Sequence, residues 1–176
     1  MFKTLLFGLL TLFSLSGLAQ TSKIDIPMKK GKVYYEKSYR IDDSSQKKEL
    51  FKRAGKWFKQ DFPNTQKIKL SADKSTGEIT GTGIFKIVTS STGNYYFMRF
   101  AITIKVYNGG YTYIADKFYE KPIESGISNE YSKIEYRWWD YRQGKPWSKE
   151  DETLFRGIVS NETALMASLE VEMNNR

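Results

Sequence analysis

The sequence predicts an α+β fold: a five-stranded antiparallel sheet with two helices packed on one face, in the order β-α-β-β-β-β-α. Three observations carry this expectation. Tyr96, Met98, Phe100, Ile102, Ile104 and Val106 are apolar without a break at period two, and Tyr95, Phe97, Arg99, Thr103, Lys105 and Tyr107 share the opposite face. Leu50, Phe51, Ala54, Trp57 and Phe58 recur at helical spacing, as do Leu154, Phe155, Ile158, Val159, Leu165, Met166, Leu169 and Met173. Asn108-Gly109-Gly110 reverses the longest strand into its neighbour, because these residues tolerate left-handed turn geometry.

The elements follow in order. Residues 20–30 are polar and Lys-rich, a flexible lead-in to a single domain over 31–176. Lys32 to Ile41 alternates as a half-buried strand, with Val33, Tyr35, Tyr39 and Ile41 inward and Tyr34, Glu36, Ser38 and Arg40 outward. Asp42-Asp43-Ser44-Ser45 supplies side chains that accept the orphan N–H groups of a helix running to about Gln60, which Phe62-Pro63-Asn64 stops. Lys67 to Ala72 is a short strand with Ile68 and Leu70 on one side, and Asp73 to Gly77 is a turn. Glu78 to Val88 is the next strand; its Gly81 and Gly83 leave room on the inner face for the Trp57 and Phe58 side of the helix. After a loop at Ser90 to Asn94 come the strand Tyr95 to Tyr107 and the returning strand Tyr111 to Glu120. Residues 121–147 form an aromatic-rich connection punctuated by Pro122, Gly126, Gly144 and Pro146, with a short strand or helical turn near Ile134 to Tyr141. Ser148 caps the last helix, and Glu150, Asp151 and Glu152 suit its positive N-terminal end.

Residues 1–19 read as a secretory signal peptide: Lys3 gives a positive start, Leu5 to Leu15 an apolar stretch, and Gly17-Leu18-Ala19 a small-residue cleavage site before Gln20. The protein is therefore expected in the periplasm, at the cell surface or in the medium. The sequence has no Cys, so neither a disulfide nor the lipid-modified cysteine of a bacterial lipoprotein can form. Beyond the leader no apolar run approaches the ~20 residues that span a bilayer, so no transmembrane segment is expected in the mature chain. With 28 Lys and Arg against 20 Asp and Glu, the formal charge is +8. Export turns that balance away from nucleic acid and toward anionic envelope polymers, lipid head groups or an acidic partner protein.

Gly31-Lys32-Val33-Tyr34-Tyr35-Glu36, Trp57-Phe58, Thr76-Gly77-Glu78-Ile79 with Gly81 and Gly83, and Ile102-Thr103-Ile104-Lys105-Val106 before Tyr111-Thr112-Tyr113 together carry a resemblance. Over about residues 31–120 the chain resembles a family of uncharacterised bacterial domains with a TATA-binding-protein-like fold, typically found in exported proteins. The resemblance implies the fold. It brings no activity, cofactor or catalytic residue, and fold alone lends no DNA-binding role.

The missing His and Cys exclude Ser-His-Asp and Cys-His nucleophile sets and the common zinc sites. No spacing singles out a Ser-Lys pair, and no cofactor motif is present. Asp42-Asp43 and Glu150-Asp151-Glu152 are the dense carboxylate clusters; both fall at helix starts and neither has the alternating pattern of a calcium loop. The Asn161-Glu162-Thr163 sequon lies inside the last helix.

Two candidate surfaces remain. Arg137, Trp138, Trp139, Arg142 and Trp147 have the composition of a binding hot spot or a sugar-stacking platform, or else fold back as a lid over the core edge. Tyr34, Tyr95, Phe97, Arg99, Lys105 and Tyr107 fall on the free sheet face, where aromatic and cationic groups suit an anionic or protein ligand, unless they only pair across strands or are covered by 121–147. The expected function is a non-enzymatic, exported binding module of the bacterial cell envelope, most simply protein–protein. The alternatives are a small-ligand or glycan binder with a Trp/Arg-lined site and, less favoured, a carboxylate-dependent hydrolase.

Overall fold

A computed structural model describes residues 24–41, 46–60, 62, 70–124, 126–138 and 147–175. The leader, the capping run 42–45, and Trp139 and Arg142 lie outside the described residues. The elements are β1 (Met28–Lys29), β2 (Lys32–Val33), β3 (Tyr35–Arg40), α1 (Lys47–Gln60), β4 (Ser71–Asp73), β5 (Glu78–Val88), β6 (Tyr95–Tyr107), β7 (Gly110–Ile123), β8 (Ser132–Lys133) and α2 (Lys149–Asn174). β1 and β2 form a two-stranded hairpin, while the main antiparallel sheet runs β3-β7-β6-β5-β4, with β8 also on β7.

Helices α1 and α2 cover one face of the sheet. Leu50, Ala54, Trp57 and Phe58 of α1, and Leu154, Phe155, Ile158, Leu165 and Leu169 of α2, are buried against the inward residues of β5, β6 and β7. Burial alternates along β6 with no break, as period two requires. A Cβ on Gly81 would stand 2.6 Å from the Phe58 ring, and one on Gly83 would stand 2.5 Å from Phe100 and 2.6 Å from Phe62. The expected room for α1 is therefore filled by Phe58 and Phe62, with Phe100 from the neighbouring strand, rather than by Trp57. Trp57 instead donates from Nε1 to Ser168 Oγ at 2.9 Å, and Lys56 Nζ meets both Glu172 carboxylate oxygens at 2.8 and 3.0 Å, so the two helices are tied side by side.

Three expectations are corrected. The main sheet has six strands, not five, because β8 adds a short strand beside Tyr119 and Glu120. The paired part of β4 is Ser71–Asp73 rather than 67–72, with Leu70 exposed and 67–69 outside the described residues. From residue 24 on, the lead-in is structured: Ile26 is buried in the core, Ile24 packs against it, and Met28–Lys29 pairs with Lys32–Val33. Along β7 the burial pattern does not keep one alternation. Arg99 pairs with Tyr119 but Ala101 with Asp116, so Lys117 and Phe118 together oppose Phe100 in a β-bulge. The extra residue shifts the buried set from Tyr111, Tyr113 and Ala115 to Phe118 and Glu120.

The α1 start has a partner that local sequence does not reveal. Asn108, in the β6–β7 turn, accepts from the Lys47 backbone N–H at 2.9 Å through Oδ1 and so caps the helix from another element. At α2 the expected cap is present as a full capping box: Ser148 Oγ accepts from Asp151 N, and Asp151 Oδ2 accepts from Ser148 N, each at 3.0 Å.

Candidate functional site

The face of the sheet away from the helices carries Tyr95, Phe97, Arg99, Lys105 and Tyr107 along β6, as β6 alternation requires. Register sets Lys86, Phe97 and Lys121 side by side, and Ile84, Arg99 and Tyr119 in the next row. Cations and rings alternate there. Lys86 Nζ lies 4.1 Å from the Tyr95 ring centroid, and Tyr95 meets Phe97 edge-on at 5.3 Å. The Arg99 guanidinium lies 5.0 Å from the Tyr119 ring and 4.2 Å from Tyr131, with Lys121 5.8 Å from Tyr131. Each such contact contributes about 0.5–1 kcal/mol at an exposed site and leaves the cation's outer hydrogens free for an anion. Lys86, Arg99 and Lys121 make no ion pair with a described residue.

Lys105 is engaged differently: its ammonium meets Glu78 at 2.7 Å, which holds its pKa above the ordinary lysine value. Tyr107 stands exposed near one end of the face. Tyr34 sits beneath Lys29 Nζ at 4.4 Å, and Lys29 is itself paired with Glu36 at 3.0 Å. Among the described residues of the connection 121–147, Tyr131 lies over Arg99 on this face.

The aromatic segment takes the folded-back arrangement in its described part. Trp138 is buried, 4.5 Å from the Phe155 ring and 5.8 Å from Trp147, and Trp147 lies 4.6 Å from Phe155. These two rings close the edge of the core over the start of α2, so neither stands out as an open stacking platform. Arg137 is likewise drawn in. Its Nε meets Glu120 Oε2 at 2.5 Å, its Nη1 meets Asp151, and its guanidinium lies 4.8 Å from the Tyr96 ring. Burial would lower the Arg137 pKa, but Glu120 and Asp151 raise it on balance. Burial raises the Glu120 pKa against the pull of Arg137. The Asp151 pKa falls: burial opposes ionisation, and the hydrogen bonds from Ser148 and Arg137 outweigh it. Of the two arrangements the sequence left open for this segment, Arg137 takes the folded-back one and links β7 to α2.

A second buried acid lies on the inner face of α2. Glu162 is fully buried, and burial pushes its pKa up to about 8 despite the hydrogen bond from Tyr113, whose hydroxyl donates to Oε2 at 2.7 Å. The same burial, with Glu162 beside it, drives the Tyr113 phenol well above its ordinary value. Among the described residues no group of His, Cys, Asp or Glu is arranged to hold a metal ion, and no helix is long and apolar enough to cross a membrane.

The sequence reading missed a groove at the edge of the sheet, where the β1–β2 hairpin, the β7 bulge and β8 meet. It encloses about 630 Å³ and is lined by Lys29, Lys30, Lys32, Lys117 and Lys133, with Tyr34, Phe118 and Tyr119. Two carboxylates, Asp116 and Glu135, also line it, but Glu135 Oε1 already accepts from Val33 N at 2.9 Å. Lys30 and Lys117 are the two non-glycine residues with positive φ among those described, at 53° and 57°. Each costs on the order of 1 kcal/mol relative to a relaxed backbone. Lys30 opens a two-residue turn with Gly31 at φ 74°, where Asn, Asp or Gly is the usual occupant, and Lys117 holds the left-handed place in a bulge where Gly is the default. The Lys30-Gly31 pair between Lys29 and Lys32 was the signal available in the sequence.

Comparison with known proteins agrees with this architecture. No curated protein matches the chain. Solved structures that share the fold include a DUF4468 family protein from Bacteroides ovatus ATCC 8483, at 18% identity and a TM-score of 0.70 over 86% of this chain and 91% of that one, and a TBP-like protein from Parabacteroides distasonis ATCC 8503, at 17% identity and a TM-score of 0.62 over 82% and 97%. A family model, a domain of unknown function (DUF4468) with TBP-like fold, matches residues 24–121. Its start at residue 24 takes in the buried Ile26 and the β1–β2 hairpin, and its span exceeds half the chain, so this protein belongs to the DUF4468 family of TBP-like domains.

Proposed function

We propose that this protein is an exported, non-enzymatic binding module of the bacterial cell envelope that docks an acidic partner protein on the open face of its sheet. Export is supported by the apolar stretch Leu5 to Leu15 behind Lys3 and by the small-residue cleavage site. The observation that carries the docking surface is the row of cations set among rings, Lys86–Tyr95–Phe97 and Arg99–Tyr119–Tyr131–Lys121, in which Lys86, Arg99 and Lys121 lack acidic partners among the described residues. Rings give such a face contact area at little entropic cost, and the unpaired cations give it a preference for acidic surfaces and a steered on-rate. The face extends over the three adjacent strands β5, β6 and β7, which suits a protein surface better than a small molecule. Binding here makes and breaks no covalent bond.

The test is crosslinking in native cell envelopes, with mature protein compared with an Arg99→Glu/Lys121→Glu variant of matched far-UV circular dichroism. The reading expects an acidic protein captured by the first and lost both by the second and at high salt. Capture of the same proteins by both baits would refute it.

A further inference from the structure

The groove at the β1–β2 hairpin adjoins the open face at Tyr119, but its lysines are a different set from Lys86, Arg99 and Lys121. We infer that it is a binding site for an acidic oligosaccharide, one carrying sulfate or carboxylate groups on successive sugar rings. Lysines in the left-handed region are uncommon, and both positions would be relaxed by glycine; their coincidence in one groove of about 630 Å³ marks strain held at a site. Five lysines face two carboxylates there, and one of those is already hydrogen-bonded to Val33 N. Lys30, Lys32, Lys117 and Lys133 make no ion pair with a described residue, so their charge is available.

The choice of ligand follows from how that charge is distributed. The lysines come from three separate segments, the β1–β2 hairpin, the β7 bulge and β8. A compact anion such as a single phosphate is best held by converging forked donors, and among the described residues no arginine lines the groove. Lysines act as separated, hydrated point charges, which matches an anion whose charges are spaced along a chain. Tyr34 and Tyr119 supply ring faces whose negative quadrupole attracts the C–H faces of sugars. The volume fits one or two sugar rings within the usual range of ligand pockets.

The experiment is calorimetric titration of the mature chain with a heparin-derived tetrasaccharide. Uncharged cellotetraose, inorganic pyrophosphate and phosphatidylglycerol vesicles serve as parallel probes. The key variant is Lys30→Gly/Lys117→Gly, which removes two charges while relaxing the backbone, so it folds at least as stably as the parent. The acidic tetrasaccharide is expected to bind in a salt-sensitive way, cellotetraose not to bind, and the double variant to lose about tenfold in affinity with an unchanged or raised melting temperature. Equal affinity in the variant, tighter binding of pyrophosphate or vesicles, or no binding of the acidic tetrasaccharide would overturn the assignment. Because Arg99 and Lys121 are untouched, these outcomes are independent of the protein-docking reading.

Discussion

The Tyr113 hydroxyl donates to Glu162 Oε2 at 2.7 Å in the fully buried layer between β7 and α2, while Glu162 Oε1 has no hydrogen-bond partner among the described residues. With its pKa pushed up to about 8, Glu162 is a neutral acid at pH 7. The folded state therefore holds a proton that the unfolded chain has already released above the ordinary glutamate value. Its contribution to stability is complete below about pH 4.5 and is lost as the pH rises toward about 8. Thermal melts should show the wild type weakening across that window. A Glu162→Gln variant, which cannot ionise, should weaken less and be the more stable protein at about pH 9.

Trp138 is packed against Phe155 and Trp147 at the core edge. Trp138→Ala should cost about 3 kcal/mol in denaturant unfolding, the scale of a large aromatic removed from a core. A surface platform residue would cost a small fraction of that.

Arg137 holds Glu120 and Asp151 together. Arg137→Ala strands two carboxylates at the β7–α2 junction and should destabilise by about 3 kcal/mol. Adding Glu120→Gln to that variant should restore part of the loss, because one of the stranded charges is gone; a double-variant cycle in chemical denaturation reads this directly.

Gly83 faces Phe62 and Phe100 at distances no Cβ tolerates. Gly83→Ala should cost about 1–3 kcal/mol through overpacking, read as a lower denaturation midpoint. Ser71→Ala, on the exposed three-residue strand β4, should change it little.

Asn108 caps α1 across the fold. Asn108→Ala should cost about 1 kcal/mol and speed amide exchange in the first turn of α1, whereas a mere turn residue would leave that exchange unchanged.

What the sequence made legible was what repeats locally. The unbroken alternation from Tyr95 to Tyr107 and the stripe from Leu50 to Phe58 were readable because each rests on a single period. Ser148 with Asp151 was readable because a capping box lies within four residues. Features that depend on distant chain were not. Lys117 breaks the β7 alternation through a bulge defined only against Phe100 of β6, and Arg137 is half-buried because Glu120 and Asp151 come to it from two other elements. Glu162 continues the helical spacing Ile158, Glu162, Leu165, but its acidic side chain hid it among solvent-facing residues. The groove was missed because its lysines are neighbours only after folding, and only Lys30-Gly31 announced it in the chain.

Site-specific photo-crosslinking in native envelopes tests the central claim most directly. A photoreactive residue is placed at Lys86, exposed on the open face, and, in a second protein, at Lys52, exposed on α1 across the molecule. The account predicts a discrete crosslink to an acidic protein from position 86 and none from position 52. Crosslinks from position 52 with none from position 86 would place the working surface on the helical layer and contradict it.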